Sequence, residues 1–170
     1  MRLMARIILA LACSAIAAMW VYALFFASKE AVNKIGDIDW TQRAERRCLE
    51  AERQREALAD YRLISDVGAD GLRQRADLVD RATDTIATML AALRSDVPND
   101  EKGRAIVPMW LDEYEQYVLD RRSYAAQLRA GNNAPFSETT FEGLPLAERL
   151  ATFAGDNRMP ACAPPIDLSV

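Results

Sequence analysis

The sequence predicts an all-α protein: an N-terminal transmembrane helix, then an antiparallel three-helix bundle with a short C-terminal helix and a disulfide-tethered tail. Three observations carry this. Ile7 to Ala27 is an uncharged apolar run, long enough as a helix to span roughly 30 Å of hydrocarbon. Beyond it, apolar residues recur at steps of three and four, the period of one helix face. The few glycines and prolines gather at a handful of places and leave long stretches unbroken.

Composition narrows the function classes. The chain carries 21 basic and 25 acidic residues, and Arg2 and Arg6 precede the apolar run, so the remainder is more acidic still. That balance argues against nucleic acid as a partner. The chain has no histidine. Ser-His-Asp and Cys-His catalysis, the HExxH zinc site, histidine-held haem and a histidine pH switch are therefore excluded. No phosphate-binding glycine loop and no internal repeat is present. No cofactor or metal is expected.

The domain plan runs in order. Residues 1–6 form a cytoplasmic N-terminus, 7–27 the membrane span, 28–38 a juxtamembrane linker and 39–170 an extracytoplasmic bundle. The arginines before the span place the N-terminus inside and the remainder outside, in the plasma membrane. Trp20, Tyr22, Phe25 and Phe26 crowd the outer half of the span, as interfacial aromatics do. A cleaved signal peptide is the rival reading, because Ala15-Ile16-Ala17 has the small-x-small pattern of a cleavage site. The apolar run continues well past it, which favours the anchor. Cys13 as a lipidated residue is a third reading, and Ala10-Leu11-Ala12 suits it poorly. The first helix is expected to continue from Ser28 to Ile35 and stop at Gly36-Asp37.

The first bundle helix is expected from about Asp39 to Ile64, opened by a capping box at Asp39-Trp40-Thr41-Gln42, with Ala44, Cys48, Ala51 and Leu58 as its stripe. Ser65 to Gly71 reads as a turn. The second helix carries the clearest stripe: Leu72, Ala76, Val79, Ala82, Thr83, Ile86, Leu90 and Leu93. The third runs from about Glu101 to Ala130, through Val107, Trp110, Leu111, Tyr114, Tyr117, Val118, Arg121, Tyr124, Ala125 and Leu128. Pro108 either opens its regular part or kinks it. Arg121 is expected to face a carboxylate such as Asp80 across the bundle, or the solvent at its rim. Gly131 suits a left-handed cap. Residues 134–144 lack a helical pattern, and Phe136 and Phe141 are candidates for the core. A short helix follows Pro145 to about Phe153, and the prolines of the tail imply an extended path.

Two residue sets are site candidates. Trp110, Tyr114, Tyr117 and Tyr124 read first as core aromatics and second as the lining of a ligand pocket between helices. Asp112, Glu113, Glu115 and Asp120 are the densest carboxylates, and a charged helix exterior explains them without catalysis. Cys48 and Cys162 lie outside the membrane, where disulfides persist, and a Cys48–Cys162 bridge is expected; two free thiols are the alternative.

Several blocks are familiar together: MWVYALFFASKEAVNKIGD at 19–37, the Arg43–Ala51 stretch RAERRCLEA, RADLVDRATD at 75–84, WLDEYEQYVLDRRSYAAQLRAG at 110–131 and DNRMPACAPP at 156–165. They resemble an uncharacterised family of actinobacterial single-pass membrane proteins with an exported helical domain. The resemblance implies that topology and supports paired cysteines; it supplies no catalytic residues. The expected role is non-enzymatic: protein–protein interaction or an envelope structural component, with a protein partner and the membrane as contacts. A small-molecule-binding sensory module is the alternative.

The cysteine pair generates a test. Closing a loop on the order of 100 residues stabilises by roughly 4–5 kcal/mol in the chain-entropy account. Replacing Cys48 or Cys162 by Ser should lower the thermal midpoint by many degrees, and replacing both should add little to the effect of one. Calorimetry of the three variants checks this; additive losses from the two single changes would rule out a shared bond.

Overall fold

A computed structural model describes residues 2–26, 30–58 and 68–168. The chain divides into two compact units, Met1–Ala31 and Val32–Val170. In the first, α1 runs Arg2–Phe25. Its Met4–Phe25 stretch has mean hydropathy 2.3 and none of it is buried, so it is long and apolar enough to cross a membrane.

The second unit contains α2 (Ile38–Glu56), α3 (Ala69–Arg94), α4 (Glu101–Arg129), a two-stranded hairpin β1–β2 (Thr140–Phe141 and Leu144–Pro145), α5 (Leu146–Asp156) and a 3₁₀ turn, Pro160–Cys162. Cross-helix ion pairs fix the directions. Arg94 meets Asp112 and Glu115, Arg122 meets Asp84, and Arg129 meets Asp77, so α3 and α4 run antiparallel. Arg43 meets Asp96 and the Arg47 guanidinium donates to the Ala92 carbonyl, which sets α2 antiparallel to α3. Glu113 meets Arg149 and Trp110 donates to the Leu150 carbonyl, which does the same for α4 and α5. The 3₁₀ turn packs on α5 and on α2. The elements therefore form a circuit: α2, α3, α4, α5, the turn, and α2 again.

The Cys48–Cys162 disulfide closes that circuit, with Cα atoms 5.0 Å apart across a sequence separation of 114. Both cysteines are buried in the main core. That core gathers Trp40, Ala44 and Ala51 from α2, Ile86, Leu90 and Leu93 from α3, Trp110 and Tyr114 from α4, and Leu150 and Phe153 from α5. A second cluster joins Leu72, Ala76 and Val79 to Tyr124, Leu128 and the tail residue Leu168.

Helix ends differ from expectation where side chains found other partners. The N-cap of α2 is Asp37, not Asp39: its carboxylate accepts from Trp40 N at 2.8 Å and from Asn99 N at 2.8 Å. Asp100 caps α4 through Gly103 N at 2.9 Å and also accepts from Gly36 N and Asp37 N. The two caps thus exchange bonds across the domain. Gly103 is required there, because a Cβ would stand 2.5 Å from Asp100 Oδ1 and 2.7 Å from Pro98 Cβ. Residues 30–36 are not helical, contrary to the expected extension of the first helix. Their backbone is bound elsewhere: Ile35 N donates to Asn157 Oδ1 at 2.8 Å, and Asn157 Nδ2 donates to the Asn33 carbonyl at 2.9 Å. The first bundle helix stops at Glu56, short of the expected Ile64; residues 59–67 lie outside the described residues. Pro108 sits inside α4 rather than at its start.

Two helices end in the same pattern. At α4, Gly131 N donates to the Leu128 carbonyl and Asn132 N to the Gln127 carbonyl, with Gly131 at φ 81°. At α5, Arg158 N donates to the Gly155 carbonyl and Met159 N to the Ala154 carbonyl. Here the left-handed residue is Arg158, at φ 57°, with an exposed side chain. A side chain in that region is disfavoured by about 1 kcal/mol. Replacing Arg158→Gly should therefore raise stability by about 1 kcal/mol, less the added chain entropy of glycine in the unfolded state. Urea unfolding measures it, and a loss of stability would show that the Arg158 side chain has a stabilising role.

Candidate functional site

Open surface between helices is the place to look for binding. The groove between α4 and α5 encloses about 340 Å³ and is bordered by Asn33, Ile106, Met109, Trp110, Leu144 and Arg149, among others. Trp110 and Phe153 stack there with ring centroids 4.9 Å apart. The Trp110 indole N–H is satisfied by the Leu150 carbonyl at 3.3 Å, and the ring itself is buried in the core beneath the groove. Met109 and Leu144 stand exposed beside it.

Several polar groups of this groove are paired, and the exposed Glu148 also borders it. Arg149 Nη2 donates to Glu113 Oε1 at 2.5 Å, and its guanidinium lies 4.4 Å from the centroid of the Phe141 ring. The hydrogen bond to Glu113 holds the Arg149 guanidinium above its ordinary pKa. Thr152 donates to the Glu148 carbonyl, within its own helix turn. The exposed border of the groove, at Met109 and Leu144, offers apolar contact. Phe141, expected as a core candidate, is exposed here, while Phe136 is half-buried.

Of the four aromatics singled out from the sequence, Trp110 borders this groove. Like Tyr114, Tyr117 and Tyr124, Trp110 is itself buried. The structure brings them together edge to face: Trp110 with Tyr114 at 5.6 Å, Tyr114 with Tyr117 at 6.0 Å, and Phe136 against both Tyr117 and Tyr124. Burial pushes the Tyr114 and Tyr117 hydroxyls above their usual pKa. The four carboxylates face arginines or backbone: Asp112 and Glu115 bind Arg94, Glu113 binds Arg149, and Asp120 accepts from Thr139 N at 2.7 Å. Among the described residues no group of three or more histidines, cysteines or carboxylates could hold a metal ion.

A second polar feature escaped the sequence reading. Arg121 is 0% exposed and pairs with neither Asp80 nor solvent. It donates to both oxygens of Asp167, at 2.6 and 2.9 Å, and to Thr83 Oγ1 at 3.0 Å. Burial disfavours its charge, but the bidentate Asp167 contact outweighs that and raises its pKa. Beside it, the Tyr117 hydroxyl donates to the Pro165 carbonyl at 3.0 Å. Upstream, Ala161 N donates to the Glu45 carboxylate at 3.1 Å, and burial pushes that carboxyl's pKa up. The tail from Met159 to Leu168 is thus held at several points; it makes a 3₁₀ turn at Pro160–Cys162 and has the expected extended backbone at Ala163.

No protein-family model matches this chain, and no curated protein or solved structure matches it.

The Arg121–Asp167 pair is asymmetric in exposure, at 0% against 35% for the side chains. Removing the carboxylate strands a buried cation, whereas removing the cation leaves a carboxylate that water can reach. Asp167→Ala should therefore destabilise by about 3 kcal/mol and Arg121→Met by clearly less. Denaturant unfolding of the two variants gives the ranking; the reverse order would show that Arg121 acts mainly through packing.

Proposed function

We propose that this chain is a single-pass membrane anchor that holds a helical domain outside the cytoplasm and acts there through contact with another protein, without catalysis. One observation carries the reading most of the way: α1 is wholly exposed and apolar over Met4–Phe25, and it forms a unit separate from a domain that buries its own core. A helix of that kind needs an apolar surrounding that water does not supply. The disulfide agrees with an oxidising compartment. The arginine at position 6, with Arg2, favours a cytoplasmic N-terminus in the plasma membrane. On this reading α2, α3 and α4 are an antiparallel three-helix bundle, with α5 as a buttress on α4. Kinship with the actinobacterial single-pass proteins it resembles is part of the same proposal.

A small-molecule-binding module is the second reading. The groove at Trp110 and Phe153 favours it, since an apolar floor with few free polar groups suits an apolar ligand. The burial of Trp110 and Phe153 themselves places it second.

Topology is the direct test. A reporter fused after Val170 should be active only outside the cytoplasm, and the mature chain should keep its N-terminus by mass spectrometry. Recovery of a soluble form beginning near Ala18 would overturn the anchor in favour of a cleaved signal sequence.

A further inference from the structure

We propose that the groove between α2 and α3 is the docking site for an acidic amphipathic helix of another protein, which lies there as a further helix of the bundle. This deepens the protein-contact reading given above and rests on it. The groove encloses about 460 Å³. Along α2 its lining runs from Arg43 to Gln54, about three helical turns or roughly 16 Å. That is the length of a short helix and far longer than a small anion. Ala51 and Met89 are buried in its floor, and half-buried Ala92 lies beside them. Small side chains on a floor let a helix axis approach to about 8–10 Å.

Charge names the occupant. The α3 wall is uncharged, and its Thr85 and Thr88 hydroxyls donate to carbonyls of their own helix, those of Ala82 and Asp84. The α2 wall carries Arg43, Arg46 and Arg47. Arg43 and Arg47 share one carboxylate, Asp96, and Arg46 has no ion pair among the described residues. Glu50, the acid of this wall, accepts from Gln54 and lies 3.8 Å from Arg53. The chain as a whole has more acidic than basic residues, so this cationic excess is local. Other grooves are balanced: between α4 and α5, Arg149 is matched by Glu113, and beside the tail Arg55 stands with Glu52, Glu56 and Asp167. The complement of the α2–α3 groove is a helix with an apolar stripe for the floor and carboxylates on the flank that faces α2. Three guanidiniums in one row reject a basic segment by repulsion.

Photocrosslinking of the full-length chain in the membranes of the cell that makes it tests this. Benzoylphenylalanine replaces Thr88 in the groove, Met109 at the α4–α5 groove, or Ala126 on α4, each exposed. Position 88 should crosslink to a protein segment that has apolar residues at helical spacing and a surplus of Asp and Glu. Its yield should exceed that at position 126 at least about fivefold. Arg46→Glu should lower the yield at position 88 at least about fivefold, Arg46→Lys should keep it, and high salt should reduce it. Protein crosslinks from position 109 or 126 with none from 88 overturn the groove and leave the protein-contact reading standing. At position 88, a neutral or basic segment, lipid, or a yield indifferent to Arg46→Glu overturns the acidic helix. A second copy of this chain crosslinked at 88 overturns docking of another protein. No protein crosslink at any of the three positions overturns both readings.

Discussion

The bond between Cys48 and Cys162 makes covalent a circuit that packing of the 3₁₀ turn on α2 and α5 also closes. α3 and α4 make a long antiparallel hairpin, and α2 and α5 lie on its two members. α2 is joined to the segment after α5 by the buried sulfur pair, seated among Trp40, Ala44 and Leu150 in one core, and by the Ala161 N–H bond to Glu45. The segment around Cys162 has its own contacts, but they depend on its position: Met159, Pro165, Asp167 and Leu168 each reach a partner on the helices once the turn is in place. A covalent tie that fixes the turn raises the effective concentration of all the others.

Electrostatics supports this frame at two points. At one end, Asp37 and Asp100 each accept several backbone N–H groups. For Asp37 the bonds from Asn99 and Trp40 lower the carboxyl's pKa; for Asp100 burial opposes the charge, and the donors of Gly36, Gly103 and Asp37 outweigh it. Folded values below the unfolded one mean that this support is fully present above about pH 4 and is lost as the pH falls through the folded pKa values. In the interior, the Arg121 guanidinium has Thr83 on one side and Asp167 on the other, and Thr83 in turn donates to the Val79 carbonyl. Among the described residues, no buried side-chain nitrogen or oxygen lacks a partner.

Periodicity made the helices legible. Every residue of the Leu72–Leu93 and Val107–Leu128 stripes is buried, Arg121 included. Those stripes are long, so chance matches are few. The start of α2 was ambiguous because Asp37 and Asp39 both precede candidate N–H donors; burial of Trp40 and the reach to Asn99 decided for Asp37, and neither is visible in a local pattern. Asp167 could not be assigned to Arg121 because no spacing rule connects a helix to a proline-broken segment 46 positions away. The left-handed Arg158 was hidden for another reason: the sequence offers no glycine where the cap forms. Of the site candidates, the cysteine pairing could be read from number and compartment. The Trp110–Phe153 floor could not, since it depends on how α5 crosses α4.

Asn157 carries a consequence of a mechanical kind. Its amide holds the backbone at Asn33 and Ile35 and also bonds the Phe153 carbonyl, so with the Asn33–Asp156 bond it fastens the entering segment to the end of α5. Tension applied through residue 32 is therefore borne first by those bonds and then by the Asp100 bonds to Gly36 and Asp37. They are loaded one after another, as in a zipper, and each gives way at low force. Once they part, the load passes along α2 to Cys48, where it meets a covalent bond. The domain behaves as a soft latch backed by a hard stop: its first few residues peel away reversibly, and the remainder resists.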